Sequence, residues 1–203
     1  MLKLFVPPIS LRADNYYCVK MVYIRKKGMV IKMQKEKWVC GWGTSATWTV
    51  QQLTDTFEDT TFRYVIFPTI DGTKIRIRLS NHNGKSDAAL HSAYAASYIS
   101  GAKTDESDTV KITFGGKDGA VISPGGEIVS DEIDFKVTPG NRIAVSMYFK
   151  ERTELASGHT NNGKYIEKYY ARGNYAALPD LPAETKDGCP HYAFLYALDV
   201  LTD

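Results

Sequence analysis

Strict two-residue alternation in short runs, each bounded by turn residues, is the feature that most restricts how this chain can fold. The clearest run is residues 74–79, where apolar and basic side chains alternate without exception. In a strand the apolar side chains face one side and the basic ones the other: Ile75, Ile77 and Leu79 against Lys74, Arg76 and Arg78. Asp-Gly at 71–72 and Asn-Gly at 83–84 suit tight turns at its ends. The run is predicted to be a strand with one buried face.

Similar short runs recur along the chain at spacings of roughly ten residues: 61–67, 89–100, 109–114, 120–122, 127–135, 142–149 and 192–200. Turn residues separate nearly all of them: Gly115-Gly116, Pro124-Gly125-Gly126 and Pro139-Gly140-Asn141. Hardly any helical periodicity interrupts the series. The pattern predicts an all-β fold, an antiparallel β-sandwich that is jelly-roll-like.

One sandwich domain is predicted over residues 38–203, because 203 residues of which 43% are hydrophobic can bury one sizeable core. Within this domain, only residues 51–59 have the composition of a helical turn. Residues 151–187 are rich in Gly, Asn, Tyr and Pro and are long for a loop in a compact domain. Loops of this length tend to be functional or to pack against another surface.

The first 37 residues differ from the rest in charge. They carry nine Lys or Arg residues against Asp14 and Glu36, which leaves 16 basic and 21 acidic residues downstream. Residues 1–37 are therefore predicted to be a basic extension, either a translated leader that precedes a start at Met33 or a disordered segment. An extra edge strand over residues 16–24 is the alternative. The mildly acidic body disfavours a nucleic-acid partner.

Neither a secretory signal nor a membrane span is recognisable in the sequence. Three cysteines, Cys18, Cys40 and Cys189, leave at least one unpaired, and we interpret them as reduced thiols. Cys40 and Cys189 could still pair if the ends of the domain meet. The predicted location is the cytoplasm, with no membrane partner.

Common catalytic signatures are missing. The sequence contains no Gly-x-Ser-x-Gly elbow, P-loop, Cys-x-x-Cys or His-Glu-x-x-His motif. The four histidines are scattered, so neither a metal site nor a cofactor is predicted. The chain is not expected to be an enzyme by itself. The remaining catalytic alternative is a Ser80 nucleophile served by His82 or His159, whose geometry cannot be derived from sequence.

Three tryptophans lie within eleven residues: Trp38, Trp42 and Trp48. Their apolar faces could stack on sugar rings. Gly41 and Gly43 beside Trp42 instead favour tight packing of Trp38 and Trp42 in the core. Trp48 is the better candidate for an exposed ligand contact.

The basic side of the 74–79 strand continues into Ser80, Asn81 and His82. Guanidinium groups fixed on a strand beside an amide provide directed donors, as a carboxylate ligand or a partner domain requires. A solvated face that protects a sheet edge is the other interpretation. The sequence does not decide between them.

The order of several short segments resembles the N-terminal β-sandwich domain of bacterial SGNH (GDSL-like) esterases. The segments are residues 38–43 (WVCGWG), 61–63 (TFR), 74–81 (KIRIRLSN) with Gly84, 113–116 (TFGG), 122–127 (ISPGGE) with Ser130-Asp131, 143–148 (IAVSMY) and Gly158-His159. In those enzymes a strand similar to residues 192–200 leads into the hydrolase domain, which opens with Gly-Asp-Ser. This chain contains neither Gly-Asp-Ser nor Ser-x-x-His, so the relay that activates serine is lacking.

What the resemblance implies is therefore an accessory role. The chain is expected to be a non-catalytic β-sandwich domain, a fragment or split-gene product, that packs on and supports an SGNH-type hydrolase domain. Its match to the family proposes Arg78, Ser80, Asn81 and His159 as contact residues. Trp48 joins them on its chemistry alone. The alternative is a free-standing carbohydrate-binding module, with carbohydrate as the partner and Trp48, Tyr94, Tyr98 or Tyr148 as the stacking groups.

Overall fold

The computed structural model describes residues 18–19, 35–45, 56–155, 167–182 and 193–203. The chain divides into two compact units: residues 1–37 with Asp203, and residues 38–202. In the first unit, the strand Cys18–Val19 pairs antiparallel with residues 35–36. It lies inside the segment proposed as an edge strand. The rest of that segment, and the proposed leader at residues 1–17 and 20–32, fall outside the described residues.

Sixteen strands and one 3-10 turn, at Glu106–Asp108, make up the regular structure of the described residues, which contain no α-helix. The strands are β1 (Cys18–Val19), β2 (Lys35–Gly43), β3 (Thr56–Phe57), β4 (Thr60–Ile66), β5 (Gly72–Ser80), β6 (Ala88–Leu90), β7 (Ser92–Ser100), β8 (Lys103–Thr104), β9 (Val110–Ile112), β10 (Ala120–Ile122), β11 (Glu127–Val129), β12 (Ile133–Val137), β13 (Ile143–Phe149), β14 (Thr153–Glu154), β15 (Glu167–Arg172) and β16 (Leu195–Thr202).

The second unit is built from two main sheets. Sheet A has the order β2-β16-β5, with β11 and β12 following one another along the free edge of β5. Sheet B has the order β15-β4-β13-β7, with β8 and β9 along the free edge of β7. Two short ladders, β6–β10 and β3–β14, complete the framework. The all-β, antiparallel sandwich prediction is confirmed.

A shared hydrophobic core joins the two sheets. Alternation on β5 is as predicted: Ile75, Ile77 and Leu79 are fully buried, whereas Lys74, Arg76 and Arg78 are only partly covered. Sheet B contributes its own inward side chains to the same cluster: Phe62, Tyr64 and Ile66 from β4, and Ile143, Val145, Met147 and Phe149 from β13. The inner face of each sheet is thus sealed by the other.

Arg63 holds a loop over the outer face of sheet B. The guanidinium is buried, and its Nε donates to Ser146 Oγ at 2.8 Å. Its other four N–H groups donate to main-chain carbonyls of Ala102, Tyr175, Leu178 and Pro179. Burial lowers the pKa of Arg63 to about 10, so the group is still charged at neutral pH. Residues 175–179 of the long 151–187 stretch therefore pack on the sandwich. Residues 167–172 within the same stretch form a strand that the sequence did not indicate.

Three other predicted segments differ from the structure. The run 89–100 is divided between β6, which pairs with β10, and β7, which pairs with β13. The run 127–135 is two strands, because β11 pairs with residues 78–80 of β5 and β12 with residues 72–75. Between these two strands, Ser130 Oγ accepts a hydrogen bond from the backbone N–H of Ile77 at 2.9 Å. This bond holds the segment that connects β11 to β12 against β5. In the segment 51–59, residues 56–57 form β3 rather than a helical turn, and residues 51–55 lie outside the described part.

The start of β16 is strained. Phe194 has a φ of 60°, a value that a bulky L-residue rarely adopts, and the N–H of Leu195 donates to Ala193 O at 2.7 Å across it. The Phe194 ring is buried against Phe149, with ring centroids 5.4 Å apart. Core packing therefore holds the backbone turn that aims β16 into sheet A.

Candidate functional site

The outer face of sheet A carries two arginines that share one buried carboxylate. Register places Asp199 of β16 directly opposite Arg76 of β5. Its carboxylate is 2% exposed, and a single oxygen, Oδ2, receives Arg76 Nε at 2.8 Å and Arg78 Nη2 at 2.7 Å. Arg78 Nε also donates to it at 2.9 Å. One buried carboxylate thus orients two guanidinium groups, and its hydrogen bond raises the pKa of Arg78.

Trp38 covers one of these arginines. Its ring lies over the Arg76 guanidinium, with the carbon atom of that group 4.5 Å from the ring centroid. Trp42, by contrast, packs against the main core. The prediction that Trp38 and Trp42 both pack in the core is therefore correct only for Trp42. Trp38 is half-buried at the surface. Trp48 lies outside the described residues.

A shallow groove of about 550 Å³ lies beside the two arginines. We call it the arginine groove, and its lining is Trp38, Cys40, Gly43, Thr44, Ser45, Arg78, Tyr196, Ala197 and Asp199. Cys40 is an exposed free thiol whose Sγ lies 3.1 Å from Trp42 O. The groove therefore combines an aromatic ring, a guanidinium, a phenol and a thiol within one open depression.

Tyr196 links the groove to Glu127 on β11. Its hydroxyl donates to Glu127 Oε2 at 3.0 Å, and Ser80 Oγ donates to Glu127 Oε1 at 3.3 Å. Burial, reinforced by the hydrogen bond to Glu127, raises the pKa of Tyr196, while the neighbouring Arg78 opposes the rise. The phenol therefore stays protonated at neutral pH and is available as a hydrogen-bonding group.

Ser80 does not form a serine–histidine pair with His82 in the described structure. Its hydroxyl donates to a carboxylate, and it accepts from the backbone N–H of His82 at 3.3 Å rather than contacting an imidazole. A general base next to the hydroxyl is what activates a serine nucleophile. His159 lies outside the described residues.

Asn81 sits inside the loop that follows β5. Its side chain is buried, and Nδ2 donates to Ser86 O at 2.9 Å and to Ile122 O at 2.8 Å. A side-chain carbon on Gly84 would lie 1.9 Å from Asn81 Oδ1, so only glycine leaves room for this amide. Asn81 thus fixes the end of β5. Of the predicted contact residues that the structure describes, only Arg78 lines the arginine groove.

A second recess, of about 510 Å³, lies at the end of sheet B, lined by residues 97–100 and 140–142. There the Arg142 guanidinium carbon lies 4.7 Å from the Phe67 ring centroid and 5.1 Å from that of Tyr98. Its Nη1 donates to Glu167 Oε1 at 2.6 Å. The hydroxyls of Tyr98 and Tyr169 donate to Glu167 Oε2. Burial raises the pKa of Tyr169. This mutually satisfied cluster clamps β7 to β15 and leaves little for a ligand.

Neither a metal-ligand cluster nor a membrane-spanning helix is found in the described part of the chain. No group of three or more His, Cys, Asp or Glu residues there is arranged to hold a metal ion. Nor does that part contain a helix long and apolar enough to cross a membrane.

Sequence reasoning missed Asp199 and Tyr196, although both lie in the predicted terminal strand. Asp199 is the one ionisable acid in the apolar run 192–200. A lone carboxylate in such a strand requires a charged partner when it is buried, and this signal could have identified it. Comparison with known proteins gives no further guidance, because no protein-family model matches the chain and no curated protein matches its sequence.

Proposed function

We propose that the chain is a non-catalytic β-sandwich domain of an SGNH (GDSL-like) esterase system that packs on and supports a hydrolase domain of the same or a neighbouring polypeptide. The observation that carries the proposal is the mixed face beside β16. Arg78, with 36% of its side chain exposed, lies directly opposite Val129, which is 45% exposed. An oriented guanidinium beside exposed apolar surface suits contact with a protein domain. The family resemblance supplies the kind of partner.

Activity-based labelling tests this role. A tagged chain is recovered from its native host and treated with a fluorophosphonate, which reacts with activated serine nucleophiles. We expect a labelled protein to co-purify with the chain, and the isolated chain to remain unlabelled. Arg78→Gln should weaken recovery of the labelled protein. Arg142→Gln should not, because it removes a similarly exposed arginine at the end of sheet B, away from the proposed contact face. Labelling of the chain itself, or equal recovery with both variants, would contradict the proposal.

Carbohydrate binding is the second candidate function, and the arginine groove favours it. Trp38 and Tyr196 supply aromatic surface, and Thr44 and Ser45 add hydroxyls. Aromatic faces with nearby polar groups are the usual elements of a sugar site. Titration with neutral and acidic oligosaccharides, followed by tryptophan fluorescence, tests this role. An unchanged spectrum and no heat of binding would exclude it.

A cytoplasmic location remains part of the proposal. Cys40 is exposed and unpaired, as is usual for thiols kept in a reducing compartment. Fractionation of the native host with an antibody against the chain is the direct check. Recovery in an extracellular or envelope fraction would overturn it.

A further inference from the structure

We propose that the arginine groove binds the carboxylate of an acidic sugar, a uronic acid residue, through Arg78 with Arg76 beside it. The inference rests on the second candidate function, sugar binding, and it is independent of the accessory role. A sugar that carries a carboxylate suits this groove, because a fixed guanidinium and aromatic surface line the same depression.

Arg76 and Arg78 have N–H donors that their contacts with the described residues do not use. An arginine has five N–H donors in a planar fork. Asp199 Oδ2 occupies only Nε of Arg76, and no other hydrogen bond of Arg76 is formed with the described residues. Asp199 and Tyr196 engage only part of the Arg78 fork. N–H donors on both guanidinium groups therefore remain for a ligand. Asp199 restricts the rotation of both side chains, so these donors keep a fixed direction.

The cluster of Arg76, Arg78 and Asp199 has a net positive charge. Two guanidinium groups share the single carboxylate of Asp199, so this cluster keeps one positive charge in excess. Arg76 is 24% exposed, and Arg78 is 36% exposed and lines the groove. A carboxylate can thus reach the fork without complete burial of either ion. Glu127, which accepts a hydrogen bond from Tyr196 of the groove, adds a second negative charge that weakens the attraction.

Two aromatic side chains of the groove, Trp38 and Tyr196, offer surface to a sugar ring. Trp38 is fixed against Arg76, and Tyr196 lines the same groove with its protonated hydroxyl. A sugar ring packs on such surfaces with its C–H faces and uses hydroxyls as donors and acceptors. A carboxylate on that ring would meet the arginine fork. An acidic side chain of a protein partner would use only the fork.

The test compares two trisaccharides with the same backbone. A trimer of β-1,4-linked glucuronic acid and cellotriose differ only at C6, which is a carboxylate in the first and a hydroxymethyl in the second. Binding of each is measured by isothermal titration calorimetry at low salt. We expect the acidic trimer to bind at least about tenfold more tightly, which is the usual worth of one charge-assisted hydrogen bond. The acidic peptide acetyl-Glu-Glu-Glu-amide is the third probe.

Cys40 reports occupancy of the groove directly, since it lines the same depression. Its alkylation by iodoacetamide is followed by peptide mass spectrometry, which resolves it from the other cysteines. Saturation with the acidic trimer should slow alkylation of Cys40 severalfold, and this readout requires no variant.

Matched variants identify the arginine. Arg78→Met should weaken binding of the acidic trimer about tenfold or more. Arg142→Met should leave binding unchanged, because it removes a similarly exposed arginine at the end of sheet B, away from the groove. Glu127→Gln should strengthen binding, because it removes a negative charge beside Tyr196 of the groove. Near-ultraviolet circular dichroism verifies that each variant is folded.

Each outcome decides the proposal. Preference for the acidic trimer, with protection of Cys40, supports it. Equal binding of the two trisaccharides overturns it and leaves general sugar binding in place. Binding of the peptide as tight as that of the acidic trimer removes the sugar from the proposal and overturns it. Absence of binding by every probe overturns both this inference and the sugar-binding role, without bearing on the esterase partner.

Discussion

Asp199 is a buried carboxylate that accepts hydrogen bonds from two arginines. Its Oδ2 receives donors from both, and Trp38 shields Arg76 from solvent on one side. Desolvating a carboxylate is costly unless several donors compensate it. The cluster therefore both completes sheet A and fixes the direction of Arg78. Structure and proposed binding are coupled at this one residue.

Replacing Asp199 with Asn should lower the free energy of unfolding by about 2 kcal/mol. Breaking a fully buried pair costs more, but Arg76 and Arg78 are partly exposed and can hydrate when the charge is removed. Urea denaturation measures the change. Glu132→Gln is the control, because it removes the exposed partner of Lys74 and should cost less than about 0.5 kcal/mol. Equal losses in the two variants would contradict the importance of burial.

Asp131 gives the fold a dependence on pH. Its carboxylate accepts from the N–H groups of Gly115 and Gly116 and from Thr113 Oγ1, and these bonds lower its pKa. The bonds favour the charged form in the folded state, so their contribution is complete above the unfolded pKa of about 4 and is lost as pH falls through the folded value.

Asp131→Asn should therefore cost about 1 kcal/mol at pH 7, and the difference from wild type should shrink below about pH 4. Free energies of unfolding measured in urea between pH 7 and pH 2.5 follow the convergence. A gap between wild type and variant that stays constant across this range would show that the carboxylate charge contributes nothing.

At the scale of elements, Arg63 links the loop at residues 173–182 to strand β4. Its donors reach carbonyls from two different loops, so these oxygens share one buried group. Arg63→Met should lower the free energy of unfolding by about 3–5 kcal/mol, because it leaves buried carbonyls without donors. Amide exchange at residues 173–182 should accelerate. Arg172→Met, at an exposed position on β15, should change either value little.

The elements predictable from sequence are those whose pattern is local. Alternation at residues 74–79 predicted which face of β5 is buried, and the turn residues predicted most strand limits. The partners of Arg76 and Arg63 could not be predicted, since Asp199 and the 173–182 carbonyls lie more than 100 positions away. Strand β15 was missed because its outer face is covered by a loop rather than solvent, which removes alternation.

Across the whole second unit, the last strand in sequence is central in space. Strand β16 lies between β2 and β5, and it supplies Leu195, Leu198 and Val200 to the main core. The sandwich is therefore dominated by contacts between residues far apart in sequence. Folding of such a topology is slow, since distant segments must meet before the core forms.

A chain ending at residue 192 should therefore lack a cooperative unfolding transition and should bind the dye ANS, because sheet A would be split between β2 and β5. A synthetic peptide of residues 193–203, added in excess, should restore near-ultraviolet circular dichroism and a cooperative urea transition. The same peptide with Leu198→Asp should not, because it places a charge in the core. If the truncated chain unfolds cooperatively without any peptide, β16 is dispensable, and both the Asp199 cluster and the arginine groove would have to be peripheral to the fold.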